Sequence, residues 1–261
     1  MAIRWIRALF FSFWVWKPSY AFLIGNPADP ALFEKGIWFE TSCVTGRIGY
    51  MEDWTYKERF QNKFLLAEET HTKNQLTSYS GIATINAIRR VDVYGILGSS
   101  QMQIDEQIFS EKAFSWCMGL KLIFLKHKDL FFGADIKYFE TNQHPTFFVI
   151  EELPYNVVND YQSKYASVQL ALGIAYRIYG FVPYINGTYI EAQIMPAQSK
   201  ALVRFPDTTE MTDISLPVLS GRKKWGMALG FSLFDLAKAS LAVEWRTFNQ
   251  NGINVNGELR F

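Results

Sequence analysis

An all-β, antiparallel transmembrane β-barrel of about ten strands is the fold class this sequence of 261 residues predicts. Three observations predict it. Several segments alternate strictly between large apolar residues and small or polar ones, the period of a strand with two unlike faces. Aromatic residues make up 16% of the chain, with 22 Phe, 13 Tyr and 8 Trp, more rings than one soluble core of this size absorbs but natural for a lipid-facing wall with interfacial girdles. No apolar run after the first residues approaches the ~20 residues of a transmembrane helix, so a membrane-embedded chain would have to close its backbone hydrogen bonds between strands.

Ser167 to Ile178 is the clearest segment. Val168, Leu170, Leu172, Ile174, Tyr176 and Ile178 share one parity, and Ser167, Gln169, Ala171, Gly173, Ala175 and Arg177 share the other. Trp225, Met227, Leu229, Phe231 and Leu233 alternate in the same way with Gly226, Ala228, Gly230 and Ser232. Leu241, Val243 and Trp245 stand opposite Ala242, Glu244 and Arg246, and Ile253, Val255, Leu259 and Phe261 stand opposite Asn254, Asn256, Glu258 and Arg260. Phe114 to Phe124 and Phe132 to Tyr138 repeat the pattern, with Cys117, Lys121, Asp135 and Lys137 on the small or charged face. A soluble sandwich also alternates, but these inner rows would make a poor dry core and the outer rows would be sticky in water.

Strands are expected near 44–58, 78–88, 91–104, 113–125, 129–140, 164–178, 181–194, 224–234, 237–248 and 252–261. Tight connections at Arg89-Arg90, Lys126-His127-Lys128, Tyr179-Gly180 and Asp235-Leu236 then alternate with long ones at 59–77, 141–163 and 195–223. Outer-membrane barrels have short periplasmic turns and longer external loops.

The first residues predict export. Arg4 and Arg7 precede an apolar run from Ala8 to Trp16, and Ser19-Tyr20-Ala21 offers a small-x-small cleavage site. The expected organisation is a signal peptide at 1–21, an N-terminal segment of the mature chain at 22–43 and the barrel at 44–261. Losing Arg4, Arg7 and Lys17 turns the net charge of +1 slightly negative, which gives no footprint for nucleic acid.

Taken together, blocks along the chain resemble the chlamydial major outer membrane porins. Gly25-Asn26-Pro27-Ala28 is similar to the opening of the mature family chains, and Arg47-Ile48-Gly49-Tyr50 to their first strand. Arg90 to Tyr94 with Leu97-Gly98, Phe114 to Gly119, Val182 to Ile185 and Val255 to Phe261 resemble later blocks in the same order. The resemblance implies an outer-membrane location, partnership with outer-membrane lipid and with the barrel assembly machinery, passage of small solutes or ions, and a possible homo-oligomer. Family members are usually longer and carry many more cysteines, so a smaller barrel is implied here.

Candidate pore-lining residues are Lys121, Asp135, Lys137, Gln169, Arg177, Glu244, Arg246, Asn254, Glu258 and Arg260. Charges ringing a pore set ion preference; paired with one another, they plug a narrow interior instead. Phe261, an aromatic ending an alternating strand, is the expected assembly signal. Cys43 and Cys117 are a possible disulfide in an exported chain, and two thiols are the equal alternative. His71, His127 and His144 fall in loops or turns without a positioned nucleophile or orienting group, so no enzyme chemistry, cofactor or metal is expected. The sequence thus points to passive diffusion of small hydrophilic solutes or ions, with a non-conducting structural or surface-interaction barrel as the alternative.

Overall fold

The computed structural model describes residues 25–32, 44–62, 72–105, 107–150, 153–198, 200–204, 211–215, 217–235 and 238–261. The expected signal peptide, Cys43 and His71 lie outside the described residues. One helical turn, α1 (Asp29–Leu32), precedes sixteen strands: β1 (Val44–Asn62), β2 (Thr72–Ala87), β3 (Val91–Ile104), β4 (Ile108–Ser110), β5 (Ala113–His127), β6 (Leu130–Gln143), β7 (Pro145–Ile150), β8 (Leu153–Val157), β9 (Ser163–Tyr176), β10 (Phe181–Pro196), β11 (Lys200–Arg204), β12 (Met211–Ser215), β13 (Leu219–Gly221), β14 (Trp225–Asp235), β15 (Ala239–Thr247) and β16 (Gln250–Arg260).

Ten of these close into an antiparallel barrel in the order β1-β2-β3-β5-β6-β9-β10-β14-β15-β16. The ring is sealed by β1 against β16, from Arg47 opposite Arg260 to Glu58 opposite Gln250. All ten expected strands are present. The short turns from β2 to β3, β5 to β6, β9 to β10 and β14 to β15 fall at one rim, while the short turn from β15 to β16 lies among the long connections at the other.

Parity sorts the side chains as expected. Leu97, Phe114, Met118 and Leu172 are each more than half exposed, whereas Ser115, Cys117, Lys121, Gln169 and Ala171 are buried. Exposed apolar rows around a closed wall demand a hydrocarbon solvent. In β5 a register shift between Ile123 and Leu125 breaks the alternation. Ile123 turns inward while Phe124 and Leu125 both face out, the effect of one extra residue in a strand.

Two features depart from the sequence reading. The long connections are not plain loops. A sheet continues from β3 through β4, β7, β8, β11 and β12 beyond the barrel, with its own small core of Phe148, Tyr155, Tyr161, Ala201 and Val203. The inner face is also not uniformly small or polar. Met51, Phe60, Leu76, Ile82, Ile96, Met102, Ile104, Phe139, Tyr165, Ile190 and Ile194 pack there as one apolar cluster.

The wall narrows towards the long-loop rim. β14, β15 and β16 stop short, and β13 takes their place, pairing with β1 from Phe60 to Asn62 and with β10 at Gln193 and Ile194. On the other side Gln143 of β6 reaches β3 across the start of β5. It donates Nε2–H to the Ser100 carbonyl at 3.2 Å and accepts the Met102 N–H at 3.1 Å.

Candidate functional site: the barrel lumen

The lumen is a set of polar clusters stacked between two seals. At the short-turn end the seal is the segment 25–32, folded inside the barrel. Gly25 donates its N–H to Glu244 Oε2 at 2.9 Å and accepts Asn186 Nδ2–H at 3.1 Å. Asn26 donates to Ser232 Oγ at 3.1 Å, and Asn86 donates to the Pro30 carbonyl at 3.1 Å. Asp29 pairs with Lys121 at 2.6 Å. Gly25 has φ of +78°, a turn that suits a residue without a side chain. Ala28, Ala31 and Leu32 then pack on Ile123, Phe131, Ala175, Val182 and Tyr184.

Charges run from the level of this segment up to the middle. Arg47 bridges Asp92 at 2.6 Å and Glu258 at 2.8 Å. Arg246 pairs with Asp53 at 2.8 Å and approaches Glu244 at 3.3 Å, and Asn254 donates to the same Asp53 oxygen at 2.9 Å. Higher up, Glu58 accepts from Tyr165 at 3.0 Å and from Gln250 at 2.9 Å. All of these side chains are under a tenth exposed. Groups in such surroundings stay charged only when paired and hydrogen-bonded.

A recurring device fixes two of the carboxylates. Tyr184 lies across Gly230 on the next strand and donates to Glu244, opposite Gly230 on the strand after, at 3.2 Å. Tyr94 lies across Gly119 and donates to Asp135 at 2.7 Å. A ring laid over a glycine covers bare backbone and carries its hydroxyl to a group it could not otherwise reach.

At the long-loop end the seal is apolar. Phe60, Leu76, Met102, Ile104, Tyr165, Ile194 and Leu219 meet where the wall narrows. A cavity of about 30 Å³ lies beside them, lined by Ile104, Tyr161, Ile194, Pro217 and Leu219 among others, room for about one water.

Of the residues singled out from sequence, Lys121, Asp135, Lys137, Gln169, Glu244, Arg246, Asn254, Glu258 and Arg260 all point inward and are buried. Arg177 does not join them. β9 ends at Tyr176, and the Arg177 guanidinium turns to the Tyr179 carbonyl at 3.4 Å in the short turn. Among the described residues Cys117 is buried and makes no disulfide, and Cys43, the other half of the expected pair, lies outside them. Phe261 hydrogen-bonds through its N–H to the Gly46 carbonyl at 2.9 Å, which ties the last residue to β1. His127 is the exposed last residue of β5, and His144 lies 3.4 Å from Asp160 outside the barrel.

Sequence reasoning missed Asp29, Arg47 and Asp53, the partners of Lys121, Glu258 and Arg246, and also Glu58 and Asp92. Arg47, Asp53 and Thr55 share a parity in β1, opposite Ile48, Tyr50 and Trp54, and that alternation could have revealed two of them. Asp29 lies in a segment rich in Pro and Gly, with no periodicity to read.

No protein-family model matches the chain. It is 20% identical to the major outer membrane porin, serovar E, of Chlamydia trachomatis over 369 aligned positions, covering 91% of this chain and 94% of that protein. It is 22% identical to the major outer membrane porin of Chlamydia abortus over 209 positions, covering 59% of this chain and 54% of that protein. The first alignment is longer than this chain, so that relative carries long stretches with no counterpart here. Among solved structures, the β-domain of the Bordetella autotransporter Brka is 10% identical, covers 84% of this chain and 99% of its own, and superposes with a TM-score of 0.45. The chain is an outer-membrane β-barrel, and its likeness to the chlamydial porins is distant.

Proposed function

We propose that this barrel is a porin-type passage for small hydrophilic solutes or ions that is shut in the described state and conducts when segment 25–32 leaves the lumen and the apolar neck beside β13 parts. The observation that supports this reading most is the charged middle section. Buried ion pairs are often no more stabilising than well-packed apolar residues of similar volume. A barrel that only had to fill its interior would do as well with the apolar packing it already uses near β13. Instead, Asp135 Oδ2, Gln169 Nε2, Asn254 Oδ1 and Asn256 Oδ1 are buried without a partner among the described residues. That leaves donors and acceptors for a small polar guest. The inner seal is held by hydrogen bonds, one ion pair and the packing of three small or medium apolar side chains, all reversible. The names of the distant relatives agree with this direction. The signal at 1–21, recognition of Phe261 by the assembly machinery and self-association belong to the same proposal.

The apolar seal near β13 favours a second reading, a barrel that never conducts and acts through the sheet beyond its long-loop rim. One experiment separates the two. Asn26 and Ser232 touch across the inner seal, so Asn26→Cys with Ser232→Cys, in a background where Cys43 and Cys117 are alanine, can lock the segment by oxidation. In planar bilayers the reduced form is expected to show small, steady conductance steps that oxidation abolishes. Adding Asp29→Ala should raise the open fraction several-fold. Conductance no greater than bare lipid in the reduced form and in the Asp29→Ala variant would leave the structural reading standing.

A further inference from the structure

The short-turn rim carries chemistry that neither the lumen nor the barrel wall requires. Turn 88–90 presents Arg89 and Arg90, turn 126–129 presents Lys126, His127 and Lys128, and turn 177–180 begins with Arg177. These turns are neighbours. The Ile123 N–H donates to the Arg90 carbonyl at 2.8 Å, and the Arg177 N–H donates to the Asp129 carbonyl at 2.8 Å. The three turns therefore form one continuous arc with five permanent cations and a histidine, against Asp129 as their one carboxylate. Lys238 stands just before β15, the next strand round the same rim.

Apolar side chains interleave with these cations. Ile88 is 64% exposed and Tyr179 is 94% exposed, with Phe124, Leu125 and Ile178 also open beside them. All three turn tips bear this at a conformational cost. Ile88 and Arg89 have φ of 48° and 54°, Lys128 has 53° and Tyr179 has 55°. Two-residue hairpins strongly favour Asn, Asp or Gly at such positions, and a β-branched residue there is a genuine outlier. Strain held at an exposed tip points to a use for the side chain that Gly or Asn could not supply.

We propose that this arc is a docking surface for the phosphate headgroups of anionic phospholipids in the leaflet at the short-turn rim. The cations lie at headgroup height, just beyond the lipid-facing rows of β5, β6, β9 and β10. Ile88 and Tyr179 reach into the interfacial zone where apolar and aromatic tips are favourable. Juxtamembrane basic residues attract anionic lipid, an attraction that fades within a Debye length and weakens with salt. The inference does not depend on whether the lumen conducts.

The test uses the folded protein in phosphatidylcholine vesicles containing a trace of spin-labelled lipid. The immobilised fraction is compared for labelled phosphatidylglycerol and labelled phosphatidylcholine. We expect phosphatidylglycerol to be preferred by about threefold at low salt and the preference to shrink at high salt. Arg89→Gln, Arg90→Gln, Lys126→Gln and Lys128→Gln together should bring the ratio close to one, with an unchanged strand signal in circular dichroism. Should that variant not fold, Lys126→Gln with Lys128→Gln alone should lower the ratio partway. Lys73→Gln with Lys112→Gln, at the opposite rim, should leave it unchanged. Inorganic phosphate should compete no better than chloride at equal ionic strength; stronger competition would make this a site for free phosphate rather than a lipid surface. No preference in the parent protein, or a preference that survives the rim substitutions, would overturn the proposal.

Discussion

Arg246 touches two carboxylates, Asp53 and Glu244, and none of the three reaches bulk solvent. Removing one partner of such a cluster strands the others, which typically costs about 3–5 kcal/mol. Arg246→Gln should therefore lower the urea unfolding midpoint in detergent micelles sharply, and adding Asp53→Asn should recover part of the loss. An open, water-filled lumen would screen the change and leave the midpoint nearly unmoved. Glycines offer a second check at this scale. A methyl group on Gly119 would collide with the Tyr94 ring, whereas at Gly46 it would meet no atom within 4 Å. Gly119→Ala is expected to push Tyr94 off Asp135 and cost about 1–3 kcal/mol, with Gly46→Ala close to neutral in the same titration. The collision was invisible in the sequence, because a glycine's neighbour across the sheet depends on strand register.

Strand by strand, the alternation of large and small side chains carried the barrel. β9, β14, β15 and β16 read clearly because most of their outward positions are apolar and most of their inward ones are small or polar. β1 to β3 read less clearly, since Met51, Leu76, Ile82, Ile96 and Met102 are apolar yet point inward. The strands beyond the rim were not legible at all: β4 and β13 have three residues each and β8, β11 and β12 five, too short for a period to show. Parity has a direct test. Leu172→Arg or Leu229→Arg places a charge on the lipid face, at about 2–4 kcal/mol near mid-depth, and should impair folding into vesicles. The inward face is no refuge for the same substitution. Ala171 and Ala228 pack against each other with no exposed surface to spare, so Arg at Ala228 should also fail, through overpacking, while Ala228→Ser should fold normally. An inward position that tolerated arginine as readily as serine would show a far roomier lumen.

For the molecule as a whole, the wall and the side on which the short turns fall were legible, and the occupancy of the interior was not. Sequence parity says which residues point inward but not how far they reach, and segment 25–32 has no period to show that it folds inside. The narrowing at β13 bears on time rather than on shape. Hairpins such as β5–β6 and β9–β10 join residues close in the chain and can form early, since local contacts cost the least loop entropy. The seam between β1 and β16 joins residues about two hundred positions apart, and β13 can bridge β1 and β10 only when that seam has brought β1 round to the far side. The neck around Phe60 is thus the last part of the barrel to set. A tryptophan at Phe60 should reach its buried emission after the β1–β16 seam has closed, and a chain lacking Leu219 to Gly221 should still close the seam but keep that tryptophan in a wetter environment. During this interval the barrel is ring-shaped and open at its long-loop mouth, closed only by segment 25–32 at the other end.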